Sequence, residues 1–120
     1  MRIEIPETPK SLNQLFAMNR WDRTRYRDDV RKTVWYLTRK IPTLSCFTEP
    51  VTMHLTAIFK DKRSRDLDNY IGGSKYLIDG LRHAGIITDD NTECVKAITM
   101  ELKKGPENKT IIEITPWQNQ

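Results

Sequence analysis

The residues able to do chemistry lie between Lys62 and Asp90. Asp66 and Asp68 are one residue apart, Asp89 and Asp90 are adjacent, and Lys62, Arg63 and Arg65 precede the first pair. Carboxylates this concentrated repel one another unless a cation lies between them. Hard oxygen ligands of this kind suit Mg²⁺, with Mn²⁺ as the alternative. Bases that draw in phosphates, beside acids that hold a metal, are what the cutting of a phosphodiester requires. In extended backbone Asp66 and Asp68 share one face while Leu67 points the other way into the core, so the two carboxylates can converge on one ion. The same spacing also occurs in turns and helix caps, and Asp68 could simply cap the helix that follows.

That helix is marked by Tyr76, Leu77, Ile78, Leu81 and Ala84 and stops at Gly85. Gly72-Gly73 near its start predicts an irregular first turn or close packing. Lys75 and Asp79 fall on one face. Helical side chains lean toward the N-terminus, and seven residues rise about 10 Å. Lys75 can therefore approach Asp68 or a phosphate bound there; the alternative is a solvated pair with Asp79. Upstream, Val51, Met53, Leu55, Ala57 and Phe59 alternate with more polar residues and predict the strand that delivers the chain to the acids. Met1 to Ile5 reads as a short strand ended by Pro6. Ser11 to Phe16 is a turn or a short helix. Ile98, Met100 and Leu102, a turn at Gly105 to Asn108, then Ile112 and Ile114 read as a C-terminal β-hairpin. Trp117 in the tail is either a subunit contact or packed on its own domain.

Arg20 to Arg27 interleaves bases with aromatics, as a surface for phosphates and bases does. Tyr26, Val30, Val34, Leu37 and Ile41, however, make one helical apolar stripe, which assigns Tyr26 to the core and leaves Trp21 as the freer aromatic. The pattern predicts a helix from about Arg23 to Lys40, ended by Pro42. Its other face carries Arg25, Arg31, Lys32 and Arg39 and could lie along a DNA backbone.

The totals agree with this reading. A chain of 120 residues is one domain, 1–120, large enough for its own core. The net charge is +4, but Lys10 to Lys40 holds nine bases and three acids, a local +6 that leaves −2 for the rest. Such asymmetry favours a nucleic-acid partner over a neutral small molecule. Cys46 and Cys94 lack zinc-site spacing and read as reduced intracellular thiols. No apolar run is long enough to cross a membrane.

Arg65-Asp66-Leu67-Asp68-Asn69, then Lys75, Asp79-Gly80-Leu81, Ala84-Gly85 and Thr88-Asp89-Asp90, with Ile5-Pro6 and Ser11-Leu12-Asn13 earlier, resemble the RusA family of Holliday junction resolvases. These are small bacterial, phage and prophage endonucleases. The resemblance implies an α/β (α+β) domain, a mixed sheet with helices packed on it, working as a cytoplasmic homodimer with Mg²⁺. It implies a four-way junction or other branched DNA as substrate, cut by paired nicks in recombination and repair. The catalytic and metal-binding acids fall on Asp66, Asp68 and Asp90, with Asp89 the alternative to Asp90, and the essential lysine falls on Lys75. Arg65, Lys62 and Arg63, with Arg25, Arg31 and Lys32 of the basic helix, are the expected DNA-binding residues. One departure is that Tyr70 to Ser74 lengthens the interval before Lys75, and the added residues are expected to loop out around Gly72-Gly73. The rival readings are a branched-DNA-binding protein that does not cut, and a metal phosphohydrolase acting on nucleotides.

Overall fold

The computed structural model describes residues 1–41 and 46–118. In chain order the elements are β1 (Arg2–Ile5), α1 (Leu12–Ala17), α2 (Arg20–Arg39), β2 (Val51–Phe59), α3 (Leu67–Gly73), α4 (Lys75–His83), β3 (Val95–Lys104) and β4 (Lys109–Pro116). The four strands form one mixed sheet in the order β1-β4-β2-β3. β2 runs parallel to β3 and antiparallel to β4, and β1 is antiparallel to β4. The class expected from the sequence, a mixed sheet with helices packed on it, is the class observed.

The undecided segment after Pro9 is helix α1, started by a capping box in which Ser11 and Gln14 satisfy each other's backbone amides. α2 begins three residues earlier than its apolar stripe suggests. The Asn19 side chain accepts from the Asp22 amide at 2.8 Å and so caps a turn that carries Trp21. The stripe itself buries as read: Val30 and Val34 are buried, and Tyr26, Leu37 and Ile41 pack against the core. Pro42 lies outside the described residues. α2 and α4 run side by side in the same direction. Tyr26 meets Tyr76 edge to face, Val34 lies against Gly80, and Arg39 reaches the Ala84 carbonyl. A Cβ at Gly80 would stand 3.2 Å from Val34, so glycine lets the two helices approach closely.

Two expectations are corrected. The single helix around Tyr76 is two, α3 and α4, broken at Ser74, whose hydroxyl donates to the Tyr70 carbonyl at 2.8 Å. The extra residues before Lys75 therefore form a helical turn and do not loop out. Gly73 is needed there because a Cβ would come within 1.9 Å of the Lys10 carbonyl oxygen. The second correction concerns the C-terminal hairpin. β3 and β4 are both strands, but β2 lies between them, so they do not pair with each other. Their connection straddles the end of β2. The Gly105 amide donates to the Phe59 carbonyl, and the Asn108 side chain accepts from the Lys60 amide. Alternating apolar residues around a short turn specify two antiparallel strands, but not what sits between them.

The helices cover one sheet face, where Val51, Met53, Leu55, Ala57, Ile112 and Ile114 are buried. Each of these side chains larger than alanine contributes about 1.5–3 kcal/mol on burial. The other face carries Thr52, His54, Thr99, Glu101 and Glu113, with His54 hydrogen-bonded to Thr99. The tail packs on its own domain: Trp117 donates its amide to Pro50 and lies under the Lys96 ammonium.

Candidate active site

The last residue of β2, Phe59, is the floor of the acid loop. Arg65 lies over its ring at 3.8 Å, Tyr70 of α3 meets it edge on, and the Arg65 side chain is only 10% exposed. Arg65 donates to Tyr70 Oη, to the Arg63 carbonyl and, at 2.6 Å, to Asp61. Its neighbour Asp66 is the N-cap residue of α3 in extended backbone, yet its side chain makes no capping hydrogen bond. Asp68 is in the first turn of that helix. Both are exposed, and neither forms a side-chain hydrogen bond or ion pair among the described residues. The geometry differs from an extended Asp-x-Asp pair: Leu67 is 43% exposed and does not enter the core. The helix N-terminus suits the two charges, because its free amides favour anions. α1 closes one side of the cleft, where the Asn13 amide donates to Asn69 Oδ1 at 3.0 Å.

Around these acids the bases divide into two groups. Lys62 and Arg63 are exposed and open to a ligand, and they share a cleft with Lys103 and Lys104 of β3. The sequence places those two lysines far from the loop, and only the parallel pairing of β2 with β3 brings them to it. Arg65 directs three of its five N–H donors inside the protein. On α2, Arg25 and Lys32 are exposed, whereas Arg31 is not a free base. Its Nε and Nη2 reach the two Asp79 oxygens at 2.7 and 3.1 Å, with its side chain 22% exposed. Arg82 adds a third bond to Asp79 at 2.8 Å. The hydrogen bonds from Arg31, and then from Arg82, hold the Asp79 carboxyl at about 2, below its ordinary 3.8. The alternative role for Lys75, a solvated pair with Asp79, is not what is seen, because Arg31 and Arg82 occupy that carboxylate. Lys75 is exposed at the start of α4, its ammonium 5.3 Å from the Tyr76 ring centre.

Asp89 and Asp90 occupy a turn before β3. Asp89 accepts from the Asp90 amide at 2.7 Å and from Asn91 Nδ2, and the backbone bond first of all lowers its carboxyl. Asp89 is therefore committed to the turn, and among the described residues Asp90 is the acid of the two whose side chain makes no hydrogen bond to a backbone or side-chain amide.

The acids do not all meet. Asp66 and Asp68 follow the Phe59 end of β2. Asp90 leads into Val95, which pairs with Val51 at the opposite end, and Ile87 before it bridges to Phe47. β2 has nine residues, and a strand of that length spans roughly 25–30 Å. Accordingly, no three His, Cys, Asp or Glu side chains among the described residues are grouped to hold one ion. No helix is long and apolar enough to cross a membrane.

The site is thus an exposed carboxylate pair on a braced loop, next to a basic cleft, with a third acid held apart. No curated protein matches the chain. A family model described as endodeoxyribonuclease RusA matches residues 8–115, which takes in the elements from α1 to β3, all but the last residue of β4, and all the acids just described. The chain belongs to the RusA family of Holliday junction endonucleases.

Proposed function

We propose that this chain is a Mg²⁺-dependent endonuclease that acts as a homodimer on four-way junctions, making paired nicks in DNA recombination and repair inside a bacterial cell. The observation that carries the reading is the pair Asp66 and Asp68, exposed and without a side-chain partner among the described residues at the start of α3, beside Lys62 and Arg63. The donor set fits Mg²⁺, which is commonly held by one or two carboxylates together with water and substrate phosphates. Asp66 and Asp68 would hold it, and the placement of Asp90 at the far end of β2 favours completion by a second copy, through the partner's Asp90. The ion, when bound, supplies positive charge at the scissile phosphate and makes water a better nucleophile at neutral pH.

The chain's own residues do the rest. Lys62 and Arg63, with Lys103 and Lys104 across the cleft, bind the phosphate backbone and align it over the acids. Lys75 reaches the cut phosphate as charge builds on it, an interaction that matters most in the transition state. Arg25 and Lys32 extend the contact along α2. A four-way junction has two-fold character, and a symmetric dimer presents two sites to it.

The test is a nicking assay on a four-way junction, a fork and a linear duplex of the same sequence, with Mg²⁺ and with EDTA. Symmetric nicks in the junction that need Mg²⁺ are the expected result. Tight junction binding without cleavage under any divalent ion would instead support a non-cutting branched-DNA-binding protein.

A further inference from the structure

Asp61 carries the wrong charge for its surroundings. Lys60, Lys62, Arg63 and Arg65 flank it in sequence, and the side of β3 that carries Lys103 and Lys104 lines the same cleft. In a surface that draws in phosphates, a carboxylate weakens the field. Asp61 is nevertheless tied into the loop from both ends. Its Oδ2 accepts from Arg65 Nη2 at 2.6 Å, its Oδ1 accepts from the Arg63 amide at 3.0 Å, and Arg63 Nε stands 3.7 Å away.

Arg65 is the other half of the arrangement. Its guanidinium is stacked on Phe59, Nε donates to the Tyr70 hydroxyl, and Nη1 donates to the Arg63 carbonyl. Each of its three nitrogens thereby donates within the protein, so three of the five N–H donors hold the loop and only two are left for a phosphate. The segment closed by Asp61 and Arg65 contains Lys62, Arg63 and Ser64, and the residue that follows is Asp66. Arg63 is turned outward, its side chain 77% exposed.

We propose that Asp61 is a positioning residue for DNA cleavage: by clamping Arg65 against Phe59 and Tyr70 it closes the loop that aims Lys62 and Arg63 at the backbone and sets Asp66 at the start of α3. The proposal rests on the nuclease reading of that site. It assigns Arg65 an indirect part in DNA binding, through the shape of the loop. A loop already in its bound shape saves the entropy of ordering it on the substrate, and it keeps the acid from straying.

The sign of one substitution decides. Asp61→Asn removes a negative charge from a phosphate-binding cleft, so a simple field argument makes the junction bind more tightly. The clamp requires the opposite. Affinity, measured with Ca²⁺ in place of Mg²⁺, falls about threefold or more. The single-turnover rate with enzyme in excess falls about tenfold or more. Tighter binding with an undiminished rate would overturn the proposal. Arg65→Lys keeps the charge but loses the fork and the stacking, and is expected to match the Asp61→Asn losses; wild-type behaviour would overturn the clamp equally. The double variant is expected to be no worse than the poorer single one, because both break the same contact. Losses that multiply would show that the two residues act separately. Thermal midpoints within a few degrees of the parent confirm that the variants are folded. Wild-type cleavage is the separate control: its absence removes the nuclease reading, while the affinities still decide the clamp.

Discussion

Asp66 and Asp68 form no side-chain hydrogen bond or ion pair among the described residues, at the N-cap and in the first turn of α3. A charge left unpaired near a phosphate costs affinity unless a cation comes with the substrate. Asp66→Asn or Asp68→Asn is therefore expected to abolish nicking while junction affinity is retained or rises, measured by cleavage in Mg²⁺ and binding in Ca²⁺. Full activity in either variant would remove these acids from the site. Lys75 makes a different forecast. It forms no pair with Asp79, which is occupied by Arg31 and Arg82, so its removal costs little stability. Lys75→Ala is expected to lower single-turnover cleavage by about 10²-fold with little change in affinity. A rate near the parent's would return Lys75 to the role of a solvated surface residue.

Between elements, the Arg31–Asp79–Arg82 cluster joins α2 to α4. Asp79 has its carboxyl lowered from 3.8 to about 2 by the two guanidinium partners. A carboxyl depressed on folding contributes stability that is present above its unfolded pKa and is lost as pH falls toward the folded one. Its side chain is 17% exposed, and a shift of this size corresponds to roughly 2 kcal/mol. Urea unfolding at stepped pH is expected to show part of the stability vanishing between about pH 4 and pH 2, in the parent and not in Asp79→Asn. Arg31→Ala, by the same geometry, is expected to lower the urea midpoint and leave the salt dependence of DNA binding nearly unchanged. The residue spacing reveals Arg31 as a base on a polar helix face, but not its partner 48 positions away. What local pattern could convey is visible: the buried stripe of α2, the alternation of β2, the acid pair, and Tyr26 as core. The break at Ser74 and the insertion of β2 between β3 and β4 depend on contacts across the fold, where Gly73 meets Lys10 and Gly105 meets Ile58, and no periodicity reports those.

For the whole molecule, the separation of the acids along β2 turns oligomeric state into a question about catalysis. A sequence presents Asp66, Asp68 and Asp90 as one group, and only the course of the chain shows that α3 and α4 carry Asp90 back to the other end of the strand. Mixing two inactive proteins addresses this directly. One carries Asp66→Asn with Asp68→Asn, the other Asp90→Asn. If each site draws on both subunits, their heterodimer holds one intact site and one doubly damaged site, and it is expected to nick one strand of a junction without resolving it. If each site is built within one chain, the mixture stays inactive. Nicked junctions counted on a denaturing gel separate the two outcomes.

The position of β1 has a further consequence, for the timing of synthesis. Among the described residues its one partner in the sheet is β4, with Arg2 opposite Glu113 and Ile5 opposite Thr110, and the amino-terminal ammonium donates to the Ile114 carbonyl. β1 therefore pairs with a strand made about a hundred residues later. At about 5–20 residues per second a ribosome adds the intervening hundred or so residues in roughly 5–20 s. Until β4 has emerged, Ile3 and Ile5 have no neighbouring strand, and the sheet lacks the strand that links β1 to β2. The nascent chain thus carries its basic helix and its acid loop for seconds before β4 closes the sheet.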